Sequence, residues 1–439
     1  MPSTELPRRI TVWGAAAVQV GIIIGSGIFR TPPQIAGHLA SPIVILALWL
    51  AGGVLALLGA LTYAELATLH PQSGGVYVFL REAYGRCVAF VFGWSYMLVA
   101  KPLAAAGIAV VFAEHLNTLL GTTWDVRWPT IAMLALLTAI NIRGVVLSAG
   151  VATLLTGLKF AALSAIVILP WVTDRANLAN LSGSLEPGSL AKALVPVFAG
   201  IMWTYDGWSD VGAIAGEIKD PQRNLPRVFV LGTLATTLLY VLVNIAFFVL
   251  IPLEKMRGSE TVAPAVFTAL LGPAAGLAAA ALVIVSTSGS THGSIMTGAR
   301  VTYQQSRDGL LFAFLSGVHP RWQTPWVALS VQLGLSCLAT IFVKTFEKLA
   351  GGFVFTMWVW YALAAAAIFV LRRTQAERPR PYRCWGYPVV PAVFVLASAA
   401  MTVVTIADDW KGTLVWVGIM VAGVPAYFVW NALRRPAIA

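Results

Sequence analysis

Residues 21–29 read GIIIGSGIF, with three small residues, Gly25-Ser26-Gly27, set inside an otherwise apolar run from 11 to 36. A run of about 20 mostly apolar residues is long enough to cross a bilayer as a helix. Glycine weakens a helix by roughly 1 kcal/mol relative to alanine, and lipid offers no water to replace a lost backbone bond. Broken membrane helices survive only where the freed N–H and C=O groups are buried in protein or line a cavity. The stretch therefore asks what those groups bind.

Composition sets the class. The 439 residues are 58% hydrophobic and 11% charged, with a mean hydropathy of +0.80, whereas soluble domains carry about 25% charged residues. Twelve apolar blocks are legible, at 11–36, 42–69, 85–116, 129–142, 148–171, 192–216, 227–251, 273–300, 325–343, 349–371, 388–407 and 412–431. The expected fold class is an all-α polytopic membrane protein of twelve transmembrane helices. The polar start MPSTELPRRI is read as a retained tail, because the apolar run after it is too long for a signal peptide.

Sorted by alternate loops, eighteen lysines and arginines fall on one side and nine on the other, with Lys101 and Lys159 inside apolar blocks. The bias puts both termini in the cytoplasm of a cell (inner) membrane, which requires an even number of spans. It also accounts for the net charge of +11 without nucleic acid as a partner. Cys87, Cys337 and Cys384 share no metal-ligand spacing, and HExxH, P-loop and GxSxG patterns are absent. No metal, no cofactor and no enzymatic activity are expected.

A second interruption lies in the sixth block, where Thr204-Tyr205-Asp206-Gly207-Trp208-Ser209-Asp210 follows an apolar run ending at Trp203. Breaks in the first and sixth blocks stand five helices apart, so two five-helix repeats of opposite membrane orientation would place them at matching positions. Paired interrupted segments of this kind point to a transporter's midplane binding site. The expected division is 1–171 for the first repeat, 172–371 for the second, and 372–439 for a loop, two further helices and a tail. After Ser26 a helix N-terminus offers free N–H groups and a positive dipole end to an anion. Near Trp203 a helix C-terminus offers carbonyls to a cation. A zwitterion, most simply an α-amino acid, suits both.

The motifs GIIIGSGIF, AELATLHPQSGGVYVFLREAYG, WTYDGW, EIKDPQRNLPR, TGARVTYQQSRDGLL and YRCWGYPVVP run through most of the chain. In this order and spacing they resemble the amino acid–polyamine–organocation superfamily, most of all its L-type amino acid transporters and their bacterial relatives. The resemblance implies a five-plus-five inverted repeat with two added helices and alternating access about the first and sixth helices, both unwound at mid-membrane. It implies that backbone groups of Gly25, Ser26 and Gly27 take the substrate carboxylate. Carbonyls near Ile23 and from Trp203, Thr204 and Asp206 would take the α-ammonium. Trp203 would close over the substrate from outside as a gate, and Tyr240 would line the pocket, with Asn244 matching the same pattern. Val76 and Gly216 depart from the family's acidic residues near the cytoplasmic mouth. The L-type light chains carry a cysteine between the third and fourth helices that tethers a glycoprotein; NTLLGTTWDVRW has none, so no disulfide-linked heavy chain is expected.

Ionisable groups at bilayer depth cost about 2.5–3.5 kcal/mol each on insertion scales and mark function. Lys159, in the fifth block, stands where the resemblance places a lysine in lieu of a sodium ion, bridging the break to the eighth block, with Ser286 of STSGST as the chosen hydroxyl. Asp206 reads either as the N-cap of the resumed helix or as an acceptor for basic side chains, with the cap preferred. Lys101-Pro102 reads as a local distortion, Glu65 and Glu217 as gate ion pairs or solvated faces, and His292 as a packed, hydrogen-bonded residue. The expected function is sodium-independent exchange of mainly neutral L-amino acids. A proton-coupled symporter titrating Lys159 is the alternative; a channel or a membrane enzyme lacks a pore-lining stripe or a catalytic cluster.

Overall fold

Thr11 starts the first helix: its hydroxyl accepts from the Gly14 amide at 3.2 Å, capping α1 (Val12–Ile23). At Ile24 the backbone leaves helical geometry (ψ 85°), and α2 (Gly27–His38) begins three residues later. The computed structural model describes residues 6–184, 189–272, 275–343 and 346–434. After α2 come α3 (Pro42–Leu69), the short α4 (Val76–Tyr84), α5 (Arg86–Leu120), α6 (Arg127–Ile142) and α7 (Val145–Val172). Then follow α8 (Ser189–Tyr205), a 3-10 segment (Asp210–Glu217), α9 (Pro221–Leu250), α10 (Ala263–Leu271) and α11 (Gly276–Arg307). The chain ends with α12 (Trp326–Phe342), α13 (Phe346–Thr374), α14 (Val389–Asp408) and α15 (Trp410–Arg434).

Among the described residues, eight helices are long and apolar enough to cross a membrane: α1 with α2, α3, α5, α7, α9, α13, α14 and α15. Two shorter apolar helices, α6 and α12, join them. The remaining long elements are α8, of 17 residues, and α11, whose 32 residues carry a polar buried stretch. From Ser286 to Ser306, α11 is buried along nearly its whole length, packed among α1, α5, α6, α7 and α12. A helix buried on every side in a bundle has no need of an amphipathic stripe.

Several boundaries differ from the sequence reading, each for a local reason. The seventh block starts at Pro221 rather than 227, because Asp220 turns the chain with φ 45° and proline suits the first helical position. The eighth runs on to Arg307, since its polar end is buried and paired. That block's expected start at 273, and the counted Lys344 and Arg435, lie outside the described residues. The helix α4 is too short for a bilayer block; Gly75 (φ 50°) and Gly85 (φ 84°) delimit it.

Ion pairs tie one end of the bundle. Glu217 and Arg300, both fully buried, pair at 2.7 and 3.1 Å, and Arg300 also donates to the Met296 carbonyl. Glu65 accepts from Arg372 at 2.9 and 2.6 Å and from the Cys384 amide at 2.6 Å, with Arg380 at 3.3 Å. Both acids are therefore buried and paired rather than on solvated faces. Just before α1, the Ile10 amide donates to the Glu217 carbonyl and the Lys219 amide to the Ile10 carbonyl, each at 2.9 Å. Ile22 is clasped from both sides: a Cβ built at Gly207 would stand 2.5 Å from it, and one at Gly293 2.4 Å.

Removing one partner of a fully buried pair strands the other charge, at a cost of about 3–5 kcal/mol. Arg300→Met should therefore lower the thermal unfolding midpoint of the detergent-purified protein sharply. Adding Glu217→Gln should recover much of the loss; equal midpoints for the single and double variants would contradict the pairing.

Candidate functional site

The break in α1 is organised by a lysine from another helix. Lys159 of α7, fully buried, donates to the carbonyls of Gly21 and Ile24, both at 2.7 Å, and to Ser290 Oγ at 3.1 Å. These are three neutral acceptors for the three N–H bonds of an ammonium. Gly289 leaves the space: a Cβ there would meet Lys159 Cε at 2.7 Å. The hydroxyl that touches the ammonium is thus Ser290, one turn beyond the expected Ser286. Ser286 lies close by, donating toward the carbonyls of Ile24 and Gly25 at 3.2 and 3.1 Å. A STSGST run on a helix presents hydroxyls at i and i+4 on one face, and only the depth of the lysine selects between them.

On the other side of the break, the Tyr240 hydroxyl of α9 stands 2.7 Å from the Ile23 carbonyl and 3.3 Å from that of Thr204. The structure thereby joins α1, α8 and α9 through one phenol. Thr204 Oγ1 donates to the Gly200 carbonyl at 2.9 Å and contacts Thr31 Oγ1 at 2.8 Å. At Gly27 a Cβ would come within 2.8 Å of the Thr204 backbone, so α2 and α8 approach here as only glycine permits. Ser26 is 1% exposed, and its hydroxyl is buried with no hydrogen-bond partner among the described residues.

Helix α8 ends at Tyr205, and Asp206–Ser209 form turns before the 3-10 segment. Asp206 does not cap that segment; its carboxylate accepts from the Tyr361 hydroxyl at 2.6 Å, and Ser209 occupies the N-cap position. A small cavity lies between the two breaks, bordered by Gly25, Ser26, Gly27, Trp203, Thr204 and Asp206. Its volume is about 30 Å³, room for a couple of waters. Trp203 meets Phe353 edge to face at 5.5 Å on its border. Of the ten expected site residues, Ile23 also borders this cavity, whereas Tyr240, Lys159 and Ser286 stand behind it and hold its backbone in place.

Sequence reasoning missed the polar neighbours Lys101, Asp210 and Ser294 and the aromatic Phe353. Lys101, read as a distortion, does follow a π-helical turn (Tyr96–Ala100), yet its ammonium reaches Asp210 at 2.6 Å and both border the cavity. Ser294 and Phe353 join the wall beside the apolar Ile22, Ala104 and Ile108; neither Ser294 nor Phe353 carries a motif of its own. His292 is packed between the Ser148 carbonyl at 2.9 Å and Asn141 at 3.1 Å.

These elements match a known family. A family model described as amino acid permease covers residues 10–429. The chain is 30% identical over 429 residues to the serine/threonine exchanger SteT of Bacillus subtilis, covering 96% of this chain and 97% of that protein. It is also 30% identical to the human b(0,+)-type amino acid transporter 1, over 97% of this chain and 88% of that protein. Identity to the human cystine/glutamate transporter is 30% as well, over 98% and 87%. The chain belongs to the amino acid permease family, in the L-type-like part of the amino acid–polyamine–organocation superfamily.

Proposed function

We propose that the protein is a secondary transporter of mainly neutral L-amino acids, working by sodium-independent exchange across the cell membrane with both termini in the cytoplasm. The observation that carries this reading is the Lys159 ammonium seated on the carbonyls of Gly21 and Ile24 and on Ser290 of α11. A fixed positive charge there does the bridging that a bound cation would otherwise do. All three of its protons have acceptors, which favours a permanent tether over a group that gives up a proton.

In this reading α1/α2, α3, α5, α6 and α7 are the first repeat, within 1–171. The second, within 172–371, is α8 with its 3-10 continuation, α9, α11, α12 and α13; residues 372–439 add α14 and α15, making twelve spans. The discontinuities at Ile24–Ser26 and Asp206–Ser209 lie at mid-membrane. The amides at the start of α2 and the unpartnered Ser26 hydroxyl receive the carboxylate. Carbonyls of Ile23, Trp203, Thr204 and Asp206 receive the α-ammonium, Tyr240 yielding two of them as substrate enters. In this reading the Glu217–Arg300 pair and the contact of Trp203 with Phe353 lie toward opposite ends of the path, and Trp203 swings to admit substrate. The reading includes no disulfide-linked partner, since the loop between α5 and α6 holds no cysteine.

Sodium-free proteoliposomes test the reading with a panel of radiolabelled amino acids at two external pH values. Uptake of neutral amino acids is expected only into vesicles preloaded with unlabelled substrate, without response to a proton gradient. Uptake into empty vesicles driven by inward protons would replace the exchanger with a symporter. Lys159→Met takes the charged donor from two buried carbonyls and leaves them only the Ser286 and Ser290 hydroxyls, and a hydrogen bond from a charged group contributes about 1.5–3 kcal/mol. Exchange should fall at least about tenfold while size-exclusion behaviour is retained; full activity in this variant would remove the tether from the mechanism.

A further inference from the structure

Three cavities follow one another from the central site toward the end of the bundle that the Glu217–Arg300 pair ties. Along the 3-10 segment, Asp210 borders the central cavity, Asp210 and Ala213 a second void of about 10 Å³, and Gly216 an open pocket of about 640 Å³. Along α11 the same order is marked by Ser294, Val301 and Gln304. The second void is on the order of a single water. Between it and the open pocket, the Gly74 amide donates to the Ala213 carbonyl at 2.9 Å. Between it and the central cavity stands a charge pair. Lys101 Nζ donates to Asp210 Oδ2 at 2.6 Å, with side chains 4% and 7% exposed. The lysine stem passes over Gly298, where a Cβ would stand 2.9 Å from Lys101 Cγ. The pair thus ties α5 to the 3-10 segment just beyond the turns at Asp206–Ser209, where Gly207 has φ 103°. A buried ion pair adds little stability over apolar residues of the same volume, so one that parts two voids calls for a task.

We infer that the Lys101–Asp210 pair is the inner gate of the site and the device that keeps the empty carrier from reorienting, an inference that rests on the exchange reading above. For substrate to leave along these voids, the 3-10 segment must part from α5 and the pair must break. In the empty protein the two charges are then, part-way, neither paired nor in bulk water, which is costly. A zwitterion changes this. Its carboxylate replaces Asp210 on the lysine and its ammonium replaces Lys101 on the aspartate, so neither charge is stranded as the segment moves. Asp206, the other carboxylate on the wall, accepts from the neutral Tyr361 hydroxyl, which leaves its charge in place. It offers the lysine a second partner but leaves Asp210 without one. The empty protein meets the same barrier in either direction, whereas the loaded protein does not. Exchange follows from the gate.

Efflux from sodium-free proteoliposomes of the full chain tests the gate, with labelled L-serine, L-glutamine or L-leucine inside and labelled sucrose beside it. Wild type should release amino acid only when the same unlabelled amino acid is outside. Lys101→Gln with Asp210→Asn leaves no charge to strand. It should raise release into plain buffer at least about tenfold while sucrose stays inside. A merely structural role would slow both kinds of release and leave their ratio unchanged. A double variant that still needs external amino acid, or that loses sucrose as well, overturns the gate and leaves the transporter reading standing. A wild type that moves none of the three, or releases them equally with and without external amino acid, sinks the exchange reading and the gate with it. Should the double variant fail to purify, Asp210→Asn decides the matter. Plain release that rises relative to stimulated release supports the gate; an unchanged ratio refutes it.

Discussion

The break in α1 depends on one buried ammonium held by three neutral acceptors. The break at Ile24–Ser26 frees carbonyls at the end of α1, and in a bundle without water these must be met from inside the protein. Lys159 meets two of them and reaches Ser290 with its third proton. Ser290 and Ser286 direct their own hydroxyls at the same carbonyls. The result is a polar knot joining α1, α7 and α11. It lets a helix end inside the bundle without collapsing, and it leaves the amides at the start of α2 facing the cavity rather than the knot.

The second break is supported differently. At the end of α8 the supports are phenols. Tyr240 spans the carbonyls of Ile23 and Thr204, and Tyr361 holds Asp206 and receives Ser209. Around them lies an aromatic layer in which Tyr63, Trp208, Tyr361 and Phe394 meet at 4.8–6.5 Å. Phenols suit this place because they offer one polar tip on a large apolar body. A hydroxyl contact of neutral groups is also easier to exchange for a ligand than an ammonium fixed on three acceptors.

What the sequence disclosed follows from which signals are local. Gly25-Ser26-Gly27 and the polar run after Trp203 are breaks written in consecutive residues, and both are discontinuities in the structure. Lys159 announced itself because a lysine amid leucines has few explanations. Its partner was read one turn early, since Ser286 and Ser290 share a helix face and composition says nothing of depth. The Lys101–Asp210 pair spans 109 residues, and neither member lies in a pattern that names the other. Asp206 was read as a cap because caps are local; the Tyr361 hydroxyl that claims it comes from α13. Long-range pairing, not helix location, is where the linear reading gave out.

The contacts at the two ends of α1 carry a mechanical consequence. Twelve residues of helix make a rod of roughly 18 Å, pinned near one end where Ile22 sits between Gly207 and Gly293. At its far end Ile10 is stitched to the strand-like residues on either side of Ile218. A tilt of about 10° about the pin carries the far end about 3 Å, farther than a hydrogen bond stretches. A rod pivoting there against a fixed 217–219 segment would have to part both stitches, which gives the segment ahead of α1 the form of a detent.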